Sequence, residues 1–282
     1  MEKFTVTQYE RIVELGGDQS LLDAEFETKQ ERDQTFRKIE KELVKQSRLA
    51  VKELLHEKHM VAADVVGQRV SQWLMDQGFT KVQTPTIITK DMLAKMSIND
   101  FHHLSEQVFW LDRKRCLRPM LAPNLYVMMR ELRRISNEPV KIFEIGSCFR
   151  KESQGAQHMN EFTMLNMVEL ATVEEGQQVE HLYAMCHRLM EALEIPKEEY
   201  EVIVEESTVY GEQSIDIVVN GMEVASASYG PHPMLDPQWG VFDTWVGIGM
   251  GIERLTMALN KSKTIKRYGR SITFVDGQPL SI

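Results

Sequence analysis

Residues 141–166 read KIFEIGSCFRKESQGAQHMNEFTMLN, and this stretch decides the fold. It lies within two β-type runs, 140–150 and 161–170, both rich in apolar, aromatic and branched residues. The polar segment 151–160, KESQGAQHMN, has no such pattern and joins them as the loop of a long hairpin. Arg150 ends the first run beside that loop.

Working outward, residues 173–193 carry Val179, Leu182, Tyr183, Cys186, Leu189 and Met190 at helical spacing, and these are expected to face inward. A strand over YEVIVEE (200–206) follows, then IDIVVNGMEVASAS (215–228), in which Asn220-Gly221 signals a type I′ hairpin turn. The chain then runs VGIGMG (246–251) straight into IERLTMAL (252–259), a glycine-spaced strand feeding a helix. Upstream, a helix from Ala62 is expected to bury Val65, Val66, Val70, Trp73 and Leu74 and to stop at Gly78. FTKVQTPTIIT (79–89) is β-rich, with Pro85 marking a strand end or edge. VFWLD (108–112) reads as a strand, and Pro123 sits in the first turn of a helix bearing Leu125, Met128, Met129 and Leu132. Strand runs joined mostly by hairpins and set between helices indicate an α+β fold, an antiparallel sheet flanked by helices. Residues 1–60 hold two helices, 6–15 and 30–56, without Gly/Pro punctuation in the second; they are expected to form a helical appendage to a domain spanning 61–282.

The 282 residues suffice for a full core without disulfides or metal staples. Apolar content of 43% and charged content of 27% match an ordinary soluble protein, and no run approaches the roughly 18 apolar residues of a membrane span. Three separated cysteines, with no C-x-x-C pair, argue against a zinc ribbon or disulfide framework and suit a cytoplasmic setting. The net charge of −9 disfavours a polyanion partner, but its distribution does not. Residues 29–52 carry eight Lys/Arg against four Asp/Glu, and 261–270 carry five basic residues and no acidic one. Such asymmetry permits a nucleic-acid footprint on part of the surface, with a solvated helix face as the plain alternative for the first cluster.

Three features recur in order: helix, glycine and a strand ending at Pro85; FEIGSCFRKES with its return strand; and GIGMGIERLTM. That ordered set resembles the three signature motifs of the class II aminoacyl-tRNA synthetases. LRPMLAPNLY (117–126), KIFEIGSCFRKES (141–153), EFTMLN (161–166) and GIERL (251–255) are most similar to the pyrrolysyl-tRNA synthetase family, over essentially the whole chain. The resemblance implies ATP-dependent activation of an amino acid as its adenylate, then transfer to the 3′ end of a cognate amber-suppressor tRNA. In that chemistry a carboxylate attacks the α-phosphorus of ATP in line, so positioning and charge stabilisation dominate.

The resemblance places Arg150 on the α-phosphate, a role suited to a planar, permanently charged fork. It assigns Glu152 to ATP binding, where a carboxylate can accept from the adenine amine. Phe162 offers a flat face for stacking the base, with strand core as the alternative, and His158 a contact to the triphosphate, with an exposed loop histidine as the alternative. Arg254 follows Gly247, Gly249 and Gly251, whose lack of side chains lets ATP approach the strand. An arginine in a first helical turn opposes the macrodipole, so an anionic or stacked partner accounts for it. Glu253 has a weaker claim. Glu223 and Ser226 match positions associated with Mg2+ on the nucleotide. The implied amino-acid pocket comprises Ala122, Leu125, Tyr126, Met129, Asn166, Val168, Tyr210, Ser228, Trp245 and Gly247, with Tyr210 closing over the ring. Asn166 is its informative member, because a buried carboxamide left unpaired costs about 1–3 kcal/mol and a side-chain amide would satisfy it. By spacing alone, Leu125, Tyr126 and Met129 could equally be helix core.

The resemblance further implies a homodimer, cognate tRNA and an amino acid as partners, and no membrane. The chain is expected to correspond to a catalytic portion without the family's N-terminal tRNA-binding domain. That leaves two readings: a small, separately encoded N-terminal-domain protein as a further partner, or a naturally shorter enzyme. A phenylalanyl- or phosphoseryl-type enzyme, a non-catalytic paralogue and a tRNA-independent ligase are the competing readings.

Overall fold

The computed structural model describes residues 1–57, 59–99, 102–151, 158–205 and 213–280. Two compact units emerge, Met1–Ala62 with Lys266–Ile282, and Ala63–Ile265. The sequence division at 60/61 therefore differs in one respect: the C-terminal tail groups with the N-terminal helices.

The smaller unit holds α1 (Val6–Glu14) and α2 (Lys29–His56). Thr5 and Gln8 close a reciprocal capping box at the start of α1. Phe4, Ile12, Leu22 and Phe26 form a small core, against which Phe36, Ile39 and Leu43 of α2 pack. The tail joins through polar contacts. Arg267 donates to the carbonyls of Val13 and Glu14 at the end of α1, where a cation complements the helix dipole. Asp276 accepts from the Ala62 amide at 2.8 Å and meets His59. Arg37, Lys38, Lys41, Lys45, Arg48 and Lys52 of α2 are exposed.

In the larger unit, α3 (Ala62–Asp76) ends where Phe79 donates to the Leu74 carbonyl and Gly78 adopts φ +84°, the left-handed cap expected of that glycine. It leads to β1 (Thr80–Lys81), and α4 (Ala122–Ser136) then precedes the hairpin β2 (Val140–Phe149) and β3 (Glu161–Leu170). Next come α5 (Gln178–Ala192), β4 (Tyr200–Glu205), β5 (Ser214–Val219) and β6 (Met222–Gly230). The chain continues through β7 (Trp245–Gly251) into α6 (Ile252–Leu259). The seven strands form one sheet in the order β1-β2-β3-β7-β6-β5-β4. β1 pairs with β2 in parallel, and every other neighbouring pair is antiparallel. Asn220 (φ 48°) and Gly221 (φ 76°) both take the left-handed conformation that a type I′ turn requires.

One face of the sheet packs on α3 and α5 through Val66, Leu74, Leu182, Cys186 and Leu189. The other carries α4 through Leu125 and Met129. Two sequence expectations are corrected. VFWLD is not a strand: among its residues only Trp110 makes a β-bridge, to Cys116, and the strand lies at Arg115–Leu117, paired with Ile87–Thr89. The apolar run there fills core instead, with Val108 buried. Tyr183, expected inside, is 44% exposed and sets its ring edge against His187, whose nitrogen meets the Tyr200 hydroxyl at 2.7 Å. Among the described residues no helix is long and apolar enough to cross a membrane.

Candidate active site

The site follows from strand periodicity. Gly247, Gly249 and Gly251 alternate along β7 and so share one face of the sheet. Asn166 on β3 and Ser226 on β6 lie opposite Gly249, while Val168 and Ser228 flank Gly247 in the same way. A strand without side chains between two strands that have them is a trough. A Cβ on Gly249 would lie 3.2 Å from Asn166 Nδ2, and one on Gly247 would lie 3.1 Å from the Met167 carbonyl. The glycines hold the trough open.

The trough is the floor of a cavity of about 350 Å³, walled by α4 and the β2–β3 hairpin. Arg150, His158, Phe162, Glu223, Ser226, Gly249, Gly251 and Arg254 line one part of it. Ala122, Leu125, Tyr126, Met129, Asn166, Val168, Ser228, Trp245 and Gly247 line the rest. Residues scattered over about half the chain thus meet in one cavity. Glu152 and Tyr210 lie outside the described residues.

Arg150 follows β2, where its Nε donates to the Pro119 carbonyl at 2.9 Å and its guanidinium stands 5.3 Å from the Phe162 ring centroid. Phe162 thus already has a planar cation on its face. The segment that holds Arg150 is itself fixed. Arg118, almost fully buried, meets Glu144 at 2.7 Å and donates to the Ser147 carbonyl at 2.8 Å. Thr84 donates to Glu144, and Asn124 donates to the Thr84 hydroxyl and the Pro85 carbonyl. A buried pair so fully bonded gives a defined geometry, and removing one partner would strand the other charge.

Arg254 stands in the first turn of α6 with Nη1 3.4 Å from the Glu223 carbonyl. Among the described residues no carboxylate pairs with Arg150 or Arg254. Glu253 also borders the cavity, but its carboxylate is engaged with the backbone. It is buried, and both its carboxylate oxygens accept from the Thr163 amide, at 2.9 and 2.8 Å. It ties α6 to β3.

Glu223 and Ser226 are three residues apart, a spacing that would put them on opposite faces of a regular strand. The register of β6 against β5 shifts between Glu223 and Ala225, and this irregularity turns both side chains to the cavity. A carboxylate and a hydroxyl facing one cavity are hard oxygen donors of the type Mg2+ takes.

At the other end Tyr126 stacks on Trp239 at 5.3 Å and meets Trp245 edge-on at 5.9 Å. Asn166 Oδ1 is buried with no hydrogen-bond partner. Sequence reasoning missed several wall residues, Met96, Ile98, His102, Met120 and Met164 among them. The first three lie in short segments without periodicity. Met164 sits between Phe162 and Asn166 on the same strand face, so alternation could have found it. All three thiols are buried, and desolvation raises Cys116 to about 11 and Cys148 and Cys186 to about 12. None is a nucleophile at neutral pH.

The model of the class II tRNA synthetase core domain (F) matches residues 49–276. The crystal structure of pyrrolysyl-tRNA synthetase from Desulfitobacterium hafniense is 44% identical with a TM-score of 0.91, and all of both chains is covered. A second structure of a pyrrolysyl-tRNA synthetase from that organism is 43% identical at a TM-score of 0.90, covering all of this chain and 96% of the other. Threonine–tRNA ligases match more narrowly. That of Wolbachia pipientis subsp. Culex pipiens is 28% identical over 108 residues, 36% of this chain and 17% of the relative. That of Ehrlichia ruminantium (strain Welgevonden) is 26% identical over 146 residues, 50% of this chain and 23% of the relative. The chain therefore spans about a fifth of the length of these ligases. The motif-bearing hairpin, the glycine trough and the family match agree: the chain belongs to the class II tRNA synthetases, with its whole-length likeness to the pyrrolysyl-tRNA synthetases.

Proposed function

We propose that this protein activates pyrrolysine with ATP and transfers it to the 3′ end of a cognate amber-suppressor tRNA. The observation that carries the choice of substrate is Asn166, whose buried Oδ1 lacks a partner inside a largely apolar cavity. An incoming side-chain amide N–H would satisfy it, and the aromatic walls beyond accept a bulky ring. Phenylalanine would leave that oxygen unpaired at a cost of about 1–3 kcal/mol. Phosphoserine would require cations at this end, and among the described residues that line the cavity beside Tyr126 and Trp245 there are none.

In the first step the substrate carboxylate attacks the α-phosphorus of ATP, the bond to pyrophosphate breaks and the aminoacyl-adenylate forms. Arg150, braced by the Pro119 carbonyl, holds and neutralises the α-phosphate oxygens while charge shifts onto the leaving group. Phe162 stacks the adenine, Glu152 accepts from its exocyclic amine, and His158 and Arg254 hold the outer phosphates. Glu223 and Ser226 would hold Mg2+, which supplies charge neutralisation to the departing pyrophosphate. Asn166 orients the amino acid, and Tyr210 closes over its ring. In the second step a ribose hydroxyl at the tRNA 3′ end attacks the adenylate carbonyl and AMP leaves.

Exposed cations on α2 supply the tRNA contact, binding phosphates in a salt-dependent manner. The 261–270 segment contributes less than its charge suggests. Arg267 is spent on the carbonyls ending α1, and Lys261 pairs with Glu199 at 3.1 Å. The protein acts as a homodimer, with a separately encoded N-terminal-domain protein as a further tRNA-binding partner.

The test is pyrrolysine-dependent ATP–pyrophosphate exchange, followed by charging of the cognate tRNA. Exchange is expected with pyrrolysine and not with phenylalanine or phosphoserine. Asn166→Ala should let other bulky amino acids compete; unchanged selectivity in that variant would sink the pocket assignment.

A further inference from the structure

We propose that Asp236, which touches no part of the cavity surface, is the positioning residue that shapes the deep end of the amino-acid pocket and makes it apolar. The inference rests on the substrate reading above. Asp236 is fully buried behind two wall residues. Its Oδ1 accepts the Tyr126 hydroxyl at 2.7 Å, and its Oδ2 accepts the Trp245 indole N–H at 2.7 Å. Oδ2 also accepts the His232 amide at 2.5 Å, which ties the carboxyl to its own loop.

The consequence is chemical as well as geometric. Tyr126 and Trp245 are amphipathic, and each carries one strong donor. With both donors turned away onto Asp236, the rings present only carbon faces and edges to the cavity. At this end Tyr126 and Trp245 then offer the substrate ring packing surface and no hydrogen-bond donor. The geometry is also pinned, because Tyr126 is stacked on Trp239 at an interplanar angle of 12° and crosses Trp245 at 79°. The neighbouring chain makes room for this arrangement at Gly230, where a Cβ would collide with the indole nitrogen and with Asp236 Oδ2. Gln178 of α5 holds the Gly230 carbonyl at 3.2 Å.

Asp236→Asn keeps the size of the side chain and an acceptor for the indole. Its amide nitrogen, however, must donate to Tyr126, which frees the phenolic hydrogen to turn elsewhere. The expected result is a rise of about five- to tenfold in KM for pyrrolysine in pyrophosphate exchange, with KM for ATP changed less than about twofold. Analogues with a polar ring tip should gain relative to pyrrolysine. In a Tyr126→Phe background there is no phenolic hydrogen to release, so the same substitution should add little. An unchanged pyrrolysine KM in folded Asp236→Asn protein, equal effects on both substrates, or additive behaviour in the double variant would each overturn the proposal.

A direct readout needs no substrate. In 15N-indole spectra of the unmodified protein the Trp245 N–H, assigned through Trp245→Phe, should exchange slowly with solvent; fast exchange would also overturn the proposal. This measurement decides the matter if Asp236→Asn does not fold. It also separates the two readings. Protected indole with no pyrrolysine-dependent exchange would reject the substrate and keep the Asp236 arrangement. Normal activation with an unprotected indole would do the reverse.

Discussion

The two faces of β7 do opposite work with alternate residues of one seven-residue strand. Gly247, Gly249 and Gly251 leave one face bare and make the floor of the cavity, while Val246, Ile248 and Met250 are wholly buried on the other. The buried set packs with Cys186 and Leu189 of α5, which anchors the sheet where the trough demands that side chains be missing. Glycine in a strand interior costs about 0.5–1 kcal/mol relative to alanine, so the trough is a local weakness that the opposite face offsets. Stability and chemistry are thereby separated by side-chain parity, and each can be perturbed alone.

The largest effect expected on the cavity side comes from Arg150→Ala. Loss of that cation should lower kcat/KM for pyrophosphate exchange by about 10²–10³-fold, with the urea midpoint nearly unchanged. Near-normal exchange would remove Arg150 from the centre of the chemistry. On the buried side Ile248→Ala should destabilise the fold by about 2–4 kcal/mol in urea unfolding and leave KM for ATP as it was. A weaker midpoint shift combined with a large KM change would show that the two faces are not independent.

A smaller test uses chemistry alone. Because burial raises Cys186 to about 12 and Cys116 to about 11, alkylation of the native thiols at pH 8 should be at least about a hundredfold slower than in urea-unfolded protein. The linked stability has a definite sign. Both folded values lie above the ordinary 9.0, so the contribution is whole below pH 9 and is lost as pH rises through 11 to 12. Urea midpoints that stay flat from pH 8 to 11 would contradict that burial. Least in magnitude, Gly249→Ala should raise KM for the amino acid about three- to tenfold by placing a methyl group 3.2 Å from Asn166, with stability altered by less than about 1 kcal/mol. Unaltered KM would show that the trough is wider than its backbone implies.

Much of this division was legible in advance, for reasons particular to the elements concerned. The β2–β3 hairpin declared itself because its strands are long and its loop polar, and the Asn220-Gly221 turn because few other dipeptides suit two left-handed residues in succession. The spaced glycines of β7 marked a bare face by parity alone. Where periodicity was short the reading failed, as with VFWLD, whose apolar run packs as core without a ladder. Asp236 was invisible for a different cause. An aspartate before proline reads as the start of a helix, and nothing local says that two aromatic donors from elsewhere in the chain will converge on it.

The sequence by itself determined the order of the elements, the hairpin that ends in Arg150, the bare face of β7 and the family to which those motifs belong, since each depends on residues close together in the chain. Tertiary structure alone decided that Glu223 and Ser226 turn to one side, that Arg118 and Glu144 brace the arginine's strand, and that Asp236 sets the walls of the pocket. Those outcomes depend on register shifts and on contacts between residues up to about a hundred positions apart, which no local pattern encodes.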